Sequence, residues 1–125
     1  MSAIVVQAGD AIELVDMQSF RFVEFNDASC QMLGYAREEY AQLTVFDIQD
    51  ELNERQLRAM VERSPIGQSQ SYHTRHRRKD GSAVDVQVSV RIIEIEGHPY
   101  AVAMWRAISR LRRGGTQVVA DDVAE

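Results

Sequence analysis

Cysteine is almost absent from this sequence, because Cys30 is the only one among 125 residues. A single thiol excludes an internal disulfide and a metal site made of cysteines alone. No apolar run approaches the roughly 20 residues that a membrane-spanning helix needs. The start of the chain, Met1 to Asp10, lacks the basic and apolar stretches of a signal peptide. We therefore expect a cytoplasmic protein without membrane contact and, at this length, a single domain.

Positive charge is also scarce, since 14 Lys and Arg residues stand against 19 Asp and Glu residues. Nucleic-acid binding depends on neutralising phosphates, so the net charge of -5 argues against it. The one basic concentration, Arg75 to Lys79, is interpreted as the solvated arm of a hairpin. The chain also has no glycine-rich phosphate loop, nucleophile elbow or metalloprotease motif. The sequence therefore predicts no enzyme, and any catalysis is expected in an attached effector domain.

Hydrophobic periodicity predicts an α+β domain with short helices on one face of an antiparallel sheet. A hairpin of two short strands comes first, and several short helices follow, the clearest over Glu51 to Arg63. The period then changes to alternation in three further strands: Tyr72 to Arg78, Val84 to Val90, and Tyr100 to Ala107. Asp80-Gly81 predicts a tight turn between the first two of these strands, because both positions tolerate positive φ.

Three local patterns stand in a definite order along the chain. Asn26 to Tyr35 is a short helix pattern with Asn, Ala, Leu and Gly-Tyr, and Arg37-Glu38-Glu39 follows it. Arg77 to Gly81 forms a basic turn, and Trp105 to Ser109 ends the last strand. In this order and spacing, over about Ala11 to Arg113, the patterns resemble the PAS family.

The resemblance implies a five-stranded sheet in the order 2-1-5-4-3, with helices that enclose a cavity. It also implies a sensory or interaction module of a bacterial signalling protein, with a histidine kinase or a diguanylate cyclase as the effector domain. Residues 1–10 then flank a sensor domain of residues 11–113, and residues 114–125 form a flexible acidic tail or linker. Ala107 departs from the family, which has an Asp there that helps couple the sheet to an exit helix. Here that coupling must use other contacts, such as Ser109 as a helix N-cap.

Alternation places Tyr72, Thr74 and His76 on one face of their strand, and the resemblance points that face inward. By the same reasoning Trp105 shares the inward face of the last strand with three alanines, at positions 101, 103 and 107. Small residues beside one tryptophan favour a ligand pocket; the alternative is that Trp105 fills the space as core. The candidate pocket residues are Leu57, Met60, Val61, Tyr72, Thr74, His76, Val86, Val88, Ala103 and Trp105.

His76 is the most interesting titratable residue, because an inward imidazole needs a partner. It is a structural histidine, a residue exposed at the hairpin end, or a ligand contact. His73 faces the other way and His98 falls in a turn, so the sequence predicts no metal site.

No cofactor is expected. Light-oxygen-voltage relatives form a flavin adduct through a cysteine in an Asn-Cys-Arg-Phe-Leu-Gln motif, which is absent here. Cys30 falls in the first helix and is interpreted as a buried, inert thiol. Haem is disfavoured because no histidine occurs from Gln31 to Tyr72. Non-covalent flavin, stacked on Trp105, stays open.

Val102 and Met104 face away from Trp105 and are apolar where a free sheet surface should be polar. We expect this outer face to pack on Ile4 to Val6 or on a second subunit, as a homodimer. The predicted function is to sense a small-molecule ligand in the inner cavity and to relay its presence through the outer face. The alternatives are a ligand-free dimerisation module and a flavin-binding redox sensor. A ketosteroid-isomerase-like enzyme is disfavoured, because no buried acid–base pair is evident.

Overall fold

The computed structural model describes residues 9–108 and the backbone of residues 117–119. Two strands precede four short helices, and three long strands follow them. The elements are β1 (Ala11–Asp16), β2 (Phe22–Phe25), α1 (Asp27–Gln31), α2 (Arg37–Tyr40), α3 (Val45–Ile48), α4 (Glu54–Glu62), β3 (Ser69–Arg77), β4 (Ala83–Ile95), β5 (His98–Ala107) and β6 (Gln117–Val119). Ile4 to Val6 and Ser109, on which two predictions rest, lie outside the described residues.

The strands form one antiparallel sheet in which β5 lies at the centre. The order β2-β1-β5-β4-β3 confirms the predicted five-stranded arrangement. A further short strand, β6, pairs with β3 at the edge and belongs to the segment predicted as a flexible tail. β1 pairs with β5 at the centre of the sheet, and the register of these two strands determines which of their side chains lie opposite each other.

The hairpin between β4 and β5 turns at Glu96 and Gly97, whose φ angles are 52° and 83°. Ile95 pairs directly with His98, so this is the tight turn in which both central residues take positive φ. The same geometry was predicted for Asp80-Gly81, and for Asp80 that prediction is wrong. The loop there spans residues 78–82, and only Gly81 has positive φ, at 93°.

The wider loop has a local cause. Asp80 Oδ1 accepts hydrogen bonds from the Ser82 backbone N at 2.9 Å and from the Ser82 hydroxyl at 2.6 Å. The Arg78 backbone N then donates to the Ser82 carbonyl at 2.7 Å, which closes the loop. Asp side chains that bond the backbone two residues ahead stabilise this kind of turn, and they compete with the two-residue form.

Helix α4 begins three residues later than the periodicity predicts. Asn53 Oδ1 accepts from the Gln56 backbone N at 2.8 Å, and Gln56 Oε1 accepts in return from the Asn53 backbone N at 3.0 Å. This reciprocal pair is a capping box, which fixes the first helical residue at Glu54. Leu57 is the buried residue of the helix and directs α4 toward the sheet.

The core lies between the helices and the inner face of the sheet. Phe22 stacks on Tyr40 with ring centroids 4.5 Å apart, which joins β2 to α2. Cys30 is buried, as the sequence predicts for a thiol in the first helix. The fully buried side chains include Val15, Leu33, Tyr40, Ile48, Val86 and Trp105. This packing holds every helix on the same face.

Asn26 is the residue on which the entry into α1 depends, and replacing it with Ala should cost about 2–3 kcal/mol of unfolding free energy. Its Oδ1 accepts from the backbone N of Ile12 at 3.1 Å and of Ser29 at 3.2 Å. Its Nδ2 donates to the Asp10 carbonyl at 2.9 Å. Urea unfolding of Asn26→Ala measures the loss.

Asn53→Ala is the matched control, because Asn53 is also an N-cap but its side chain accepts from one backbone N–H only. We expect it to lose about 1 kcal/mol. Equal losses in the two variants would contradict the role of Asn26 in joining β1 to α1.

Candidate functional site

A cavity of about 80 Å³ lies between the inner face of the sheet and helices α3 and α4. Its floor is formed by β1, β5, β4 and β3. Its cover includes Leu57, Met60 and Val61 of α4 and Ile48 of α3. The volume exceeds the roughly 10–15 Å³ that admits one water molecule, and it falls well short of the roughly 300 Å³ at which sites for drug-sized ligands begin.

The predicted pocket residues are mostly brought together here. Those that line the cavity are Leu57, Met60, Val61, Tyr72, His76, Val88, Ala103 and Trp105. Thr74 and Val86 do not line it, although both are buried. They pair with each other across β3 and β4. The Thr74 hydroxyl donates to Gln49 Oε1 at 2.8 Å, so Gln49 packs over this pair of residues.

The two alternatives for Trp105 are both partly realised. Its side chain is buried and fills the centre of the inner face. Ala101 and Ala103 nevertheless leave space beside it, since both line the cavity. The third alanine of the predicted stripe, Ala107, is exposed at the end of β5 and adds nothing to the cavity.

Glu13 is the functional candidate that the sequence reasoning missed. It faces inward from β1, opposite Ala103, and is only 5% exposed. Its Oε2 accepts a hydrogen bond from Trp105 Nε1–H at 3.1 Å and another from the Tyr40 hydroxyl. The signal was available, because the alternation that buries Ala11 and Val15 also buries position 13.

The Glu13 carboxyl is held without a basic partner. No Lys, Arg or His of residues 9–108 forms an ion pair with it. Burial raises its pKa, because desolvation disfavours the charged form, and hydrogen bonds from Tyr40, Trp105 and Ser29 oppose that rise. Among the described residues, hydrogen bonds from neutral donors are therefore what favours its charged form against the effect of burial.

His76 faces the cavity from β3 and is 5% exposed, so the interpretation of an exposed hairpin residue is wrong. Its ring meets the Trp105 ring edge-on, with centroids 4.7 Å apart. Nδ1 is buried without a hydrogen-bond partner among the described residues. Burial lowers the pKa of His76 to about 3, so the imidazole is neutral at physiological pH.

The remaining ionisable group of the cavity wall is Tyr72. Burial raises its pKa to about 12, so its hydroxyl is neutral as well. Within the described part of the chain no three His, Cys, Asp or Glu side chains group closely enough to hold a metal ion. The cavity therefore offers hydrogen bonds, apolar walls and one carboxyl group.

The opposite face of the sheet carries an apolar outer patch, formed by Ile12, Leu14, Val102 and Met104. Ile12 pairs with Met104 and Leu14 pairs with Val102 across β1 and β5. Val102 is 40% exposed and Ile12 is 36% exposed. Both residues predicted for the interface thus belong to one patch directly behind the cavity.

Among the described residues, none of the helices has the length and apolar character to cross a membrane.

Comparison with known proteins identifies relatives of the same architecture. A family model described as PAS domain matches residues 9–110. The PAS domain of an HTR-like protein from Haloarcula marismortui is 21% identical, with a TM-score of 0.74 over 81% of this chain and 83% of that one. A PAS domain from a two-component sensor histidine kinase is 21% identical, with a TM-score of 0.69 over 81% and 86%.

A fungal LOV domain photoreceptor is also similar, at 15% identity and a TM-score of 0.68 over 86% of this chain and 80% of that one. No curated protein matches the chain. At these identities the solved structures show the fold, while the family match covers almost the whole described chain.

The ring of His76 should remain neutral far into the acid range, because protonation would bury an unpaired charge. In a nuclear magnetic resonance titration, its ring signals should stay at the neutral position down to about pH 4. His76→Gln assigns the signals, and the same ring in urea-unfolded protein should titrate near about 6.5. A folded-state midpoint near 6 would contradict the burial argument.

The lowered pKa of His76 also makes the stability of the domain depend on pH. Its folded pKa is depressed, so the unfolded chain takes up the proton first as the pH falls below about 6.5. Stability is then lost toward pH 3, with a slope of at most about 1.4 kcal/mol per pH unit. His76→Gln should flatten this part of the stability profile.

Proposed function

We propose that this chain, which belongs to the PAS domain family, senses a small molecule in its inner cavity and relays its presence through the outer patch. PAS domains are typically sensory modules of signalling proteins rather than catalysts. In this chain we propose a small molecule as the ligand, the inner cavity as its site and β5 as the path to the outer patch. An attached effector domain, such as a histidine kinase or a diguanylate cyclase, then carries any catalysis.

The observation that carries the proposal is the alternation of β5. Ala103 and Trp105 line the cavity, and Val102 and Met104 lie on the outer patch of the same strand. Neighbouring residues of one strand move together, so a ligand that displaces Trp105 also displaces the outer patch. A ligand shifts the output only by its differential affinity for the two arrangements.

The volume limits what the ligand is. An engineered apolar cavity of about 150 Å³ binds benzene or xenon, and the cavity here is about half that size. A ligand of a few non-hydrogen atoms fits without rearrangement. A flavin stacked on Trp105 requires α4 to move away from the sheet, and for this reason we prefer the smaller ligand.

The outer patch supports a second part of the proposal, which is a homodimer. Four apolar side chains side by side on a sheet surface favour burial against a partner. A second copy brings the same patch, and a two-fold axis buries both at once. The cytoplasm is the proposed compartment.

Xenon tests the cavity without regard to chemistry. Under xenon pressure, the backbone amide signals of Ala103 and Trp105 should shift, and those of Val102 and Met104 should follow. Ala103→Leu fills the cavity and should abolish the response. Ala107→Leu, on the same strand but exposed, should keep it. Shifts confined to the cavity side would contradict the relay, and no shifts at all would contradict the cavity.

The dimer has its own test. Val102→Asp places a charge in the outer patch, and sedimentation should show a monomer where the unchanged protein shows concentration-dependent dimers. Ile66→Asp is the control, because Ile66 is 58% exposed in the loop between α4 and β3 and is not part of the outer patch. A monomeric unchanged protein at every concentration would remove the homodimer.

A further inference from the structure

We propose that the cavity selects a small organic cation, a primary ammonium ion on a short apolar chain, and that Glu13 is its counter-ion. This inference rests on the proposed function, since it names the class of ligand for the same cavity. It follows from the charge balance of the cavity wall and from the hydrogen bonds that Glu13 already makes.

Among the described residues, Glu13 is the one ionisable group of the cavity wall whose charged form a ligand can stabilise. No Lys or Arg occurs among the described residues that line it. His76 is neutral because burial lowers its pKa to about 3, and Tyr72 is neutral because burial raises its pKa to about 12. Among the described residues a cation can therefore act on Glu13: burial raises the pKa of its carboxyl group, and a bound cation opposes that rise because it favours the charged form.

The donors that serve Glu13 are few and uncharged. Trp105 and Tyr40 both donate to Oε2. The Ser29 hydroxyl, the third donor that favours the charged form of Glu13, has a single proton that the Ile12 carbonyl and Asn26 Oδ1 also compete for. A carboxylate has about four acceptor positions, so Glu13 retains acceptor capacity for a ligand. An ammonium group donates three hydrogen bonds and supplies the missing charge.

An anion has no comparable place in this cavity. No Lys or Arg of the described lining could compensate its charge, and the charged form of Glu13 would repel it. A neutral molecule fits the volume but does not stabilise the charged form of the carboxyl group. Charge thus ranks the three classes as cation, neutral molecule and anion.

The remaining walls suit a short alkyl chain. Val15, Ile92, Ala101 and Met60 present apolar surface, and the aromatic face of Trp105 attracts cations. His76 Nδ1, buried and without a partner in the described part of the chain, offers a second hydrogen-bonding position to a ligand with another polar group. Because Glu13 bonds Trp105 of β5 and Tyr40 of α2, a cation placed there acts on the sheet and on the helical cover together.

Three probes of nearly equal size and different charge decide the matter: propylammonium, 1-propanol and propionate. The readout is the indole Nε1–H signal of Trp105, which donates to Glu13 and is unambiguous because the chain has one tryptophan. We expect propylammonium to bind at least about tenfold more tightly than 1-propanol, the usual margin of a charge-assisted hydrogen bond. Propionate should produce no saturable shift.

Glu13→Gln should abolish the advantage of propylammonium over 1-propanol, because it removes the carboxyl group but keeps its size. Glu24→Gln, which removes an exposed acid of β2, should keep the advantage and so controls for general surface attraction. If Glu13→Gln does not fold, the ranking of the three probes on the unchanged protein decides alone.

The outcomes separate this inference from the proposed function. Equal binding of propylammonium and 1-propanol, tighter binding of propionate, or a preference that survives in Glu13→Gln overturns the cation while xenon entry still supports a ligand cavity. If neither xenon nor any of the three probes enters, the cavity proposal and the cation fail together.

Discussion

The hydrogen bonds to Glu13 are the interaction on which the rest of this structure depends. One carboxyl oxygen accepts from Trp105 at the centre of the sheet and from Tyr40 at the end of α2, so it joins the two layers of the domain. Tyr40 in turn stacks on Phe22 of β2. The helical cover is thus attached to the sheet through a buried polar group, whose strength depends on its protonation and its surroundings.

Most of the fold follows from the order of the sequence patterns, while its details depend on side-chain hydrogen bonds that periodicity does not contain. Strand alternation separated Trp105 from Val102 onto opposite faces, because a period of two leaves only two choices. The family resemblance then indicated that the faces of Trp105 and His76 point inward. The start of α4 and the form of the loop at Asp80 were missed, because a capping box and an Asp–Ser contact decide them. Glu13 was missed because an acid inside a core contradicts the usual composition of buried faces.

An ion pair lies beside Ala107, the position at which the chain departs from the family pattern. The family resemblance places an Asp there, and alanine cannot pair with a base. The neighbouring Arg106 pairs instead with the buried Asp10, with Nη2 and Oδ2 3.1 Å apart. Asp10 precedes β1 and its carbonyl accepts from Asn26 Nδ2. The end of β5 is therefore connected to the segment that leads into β1, and through Asn26 to α1.

Two polar groups of this cavity are buried with incomplete pairing. Within residues 9–108 Glu13 is desolvated without a counter-ion, and His76 Nδ1 has no hydrogen-bond partner. Replacing buried, incompletely paired polar groups by apolar ones of similar volume is commonly neutral or stabilising. A chain that only needed a packed core or a dimer surface gains nothing from them. Local violations of packing rules are expected where a ligand completes the interactions, and both violations here face the same cavity.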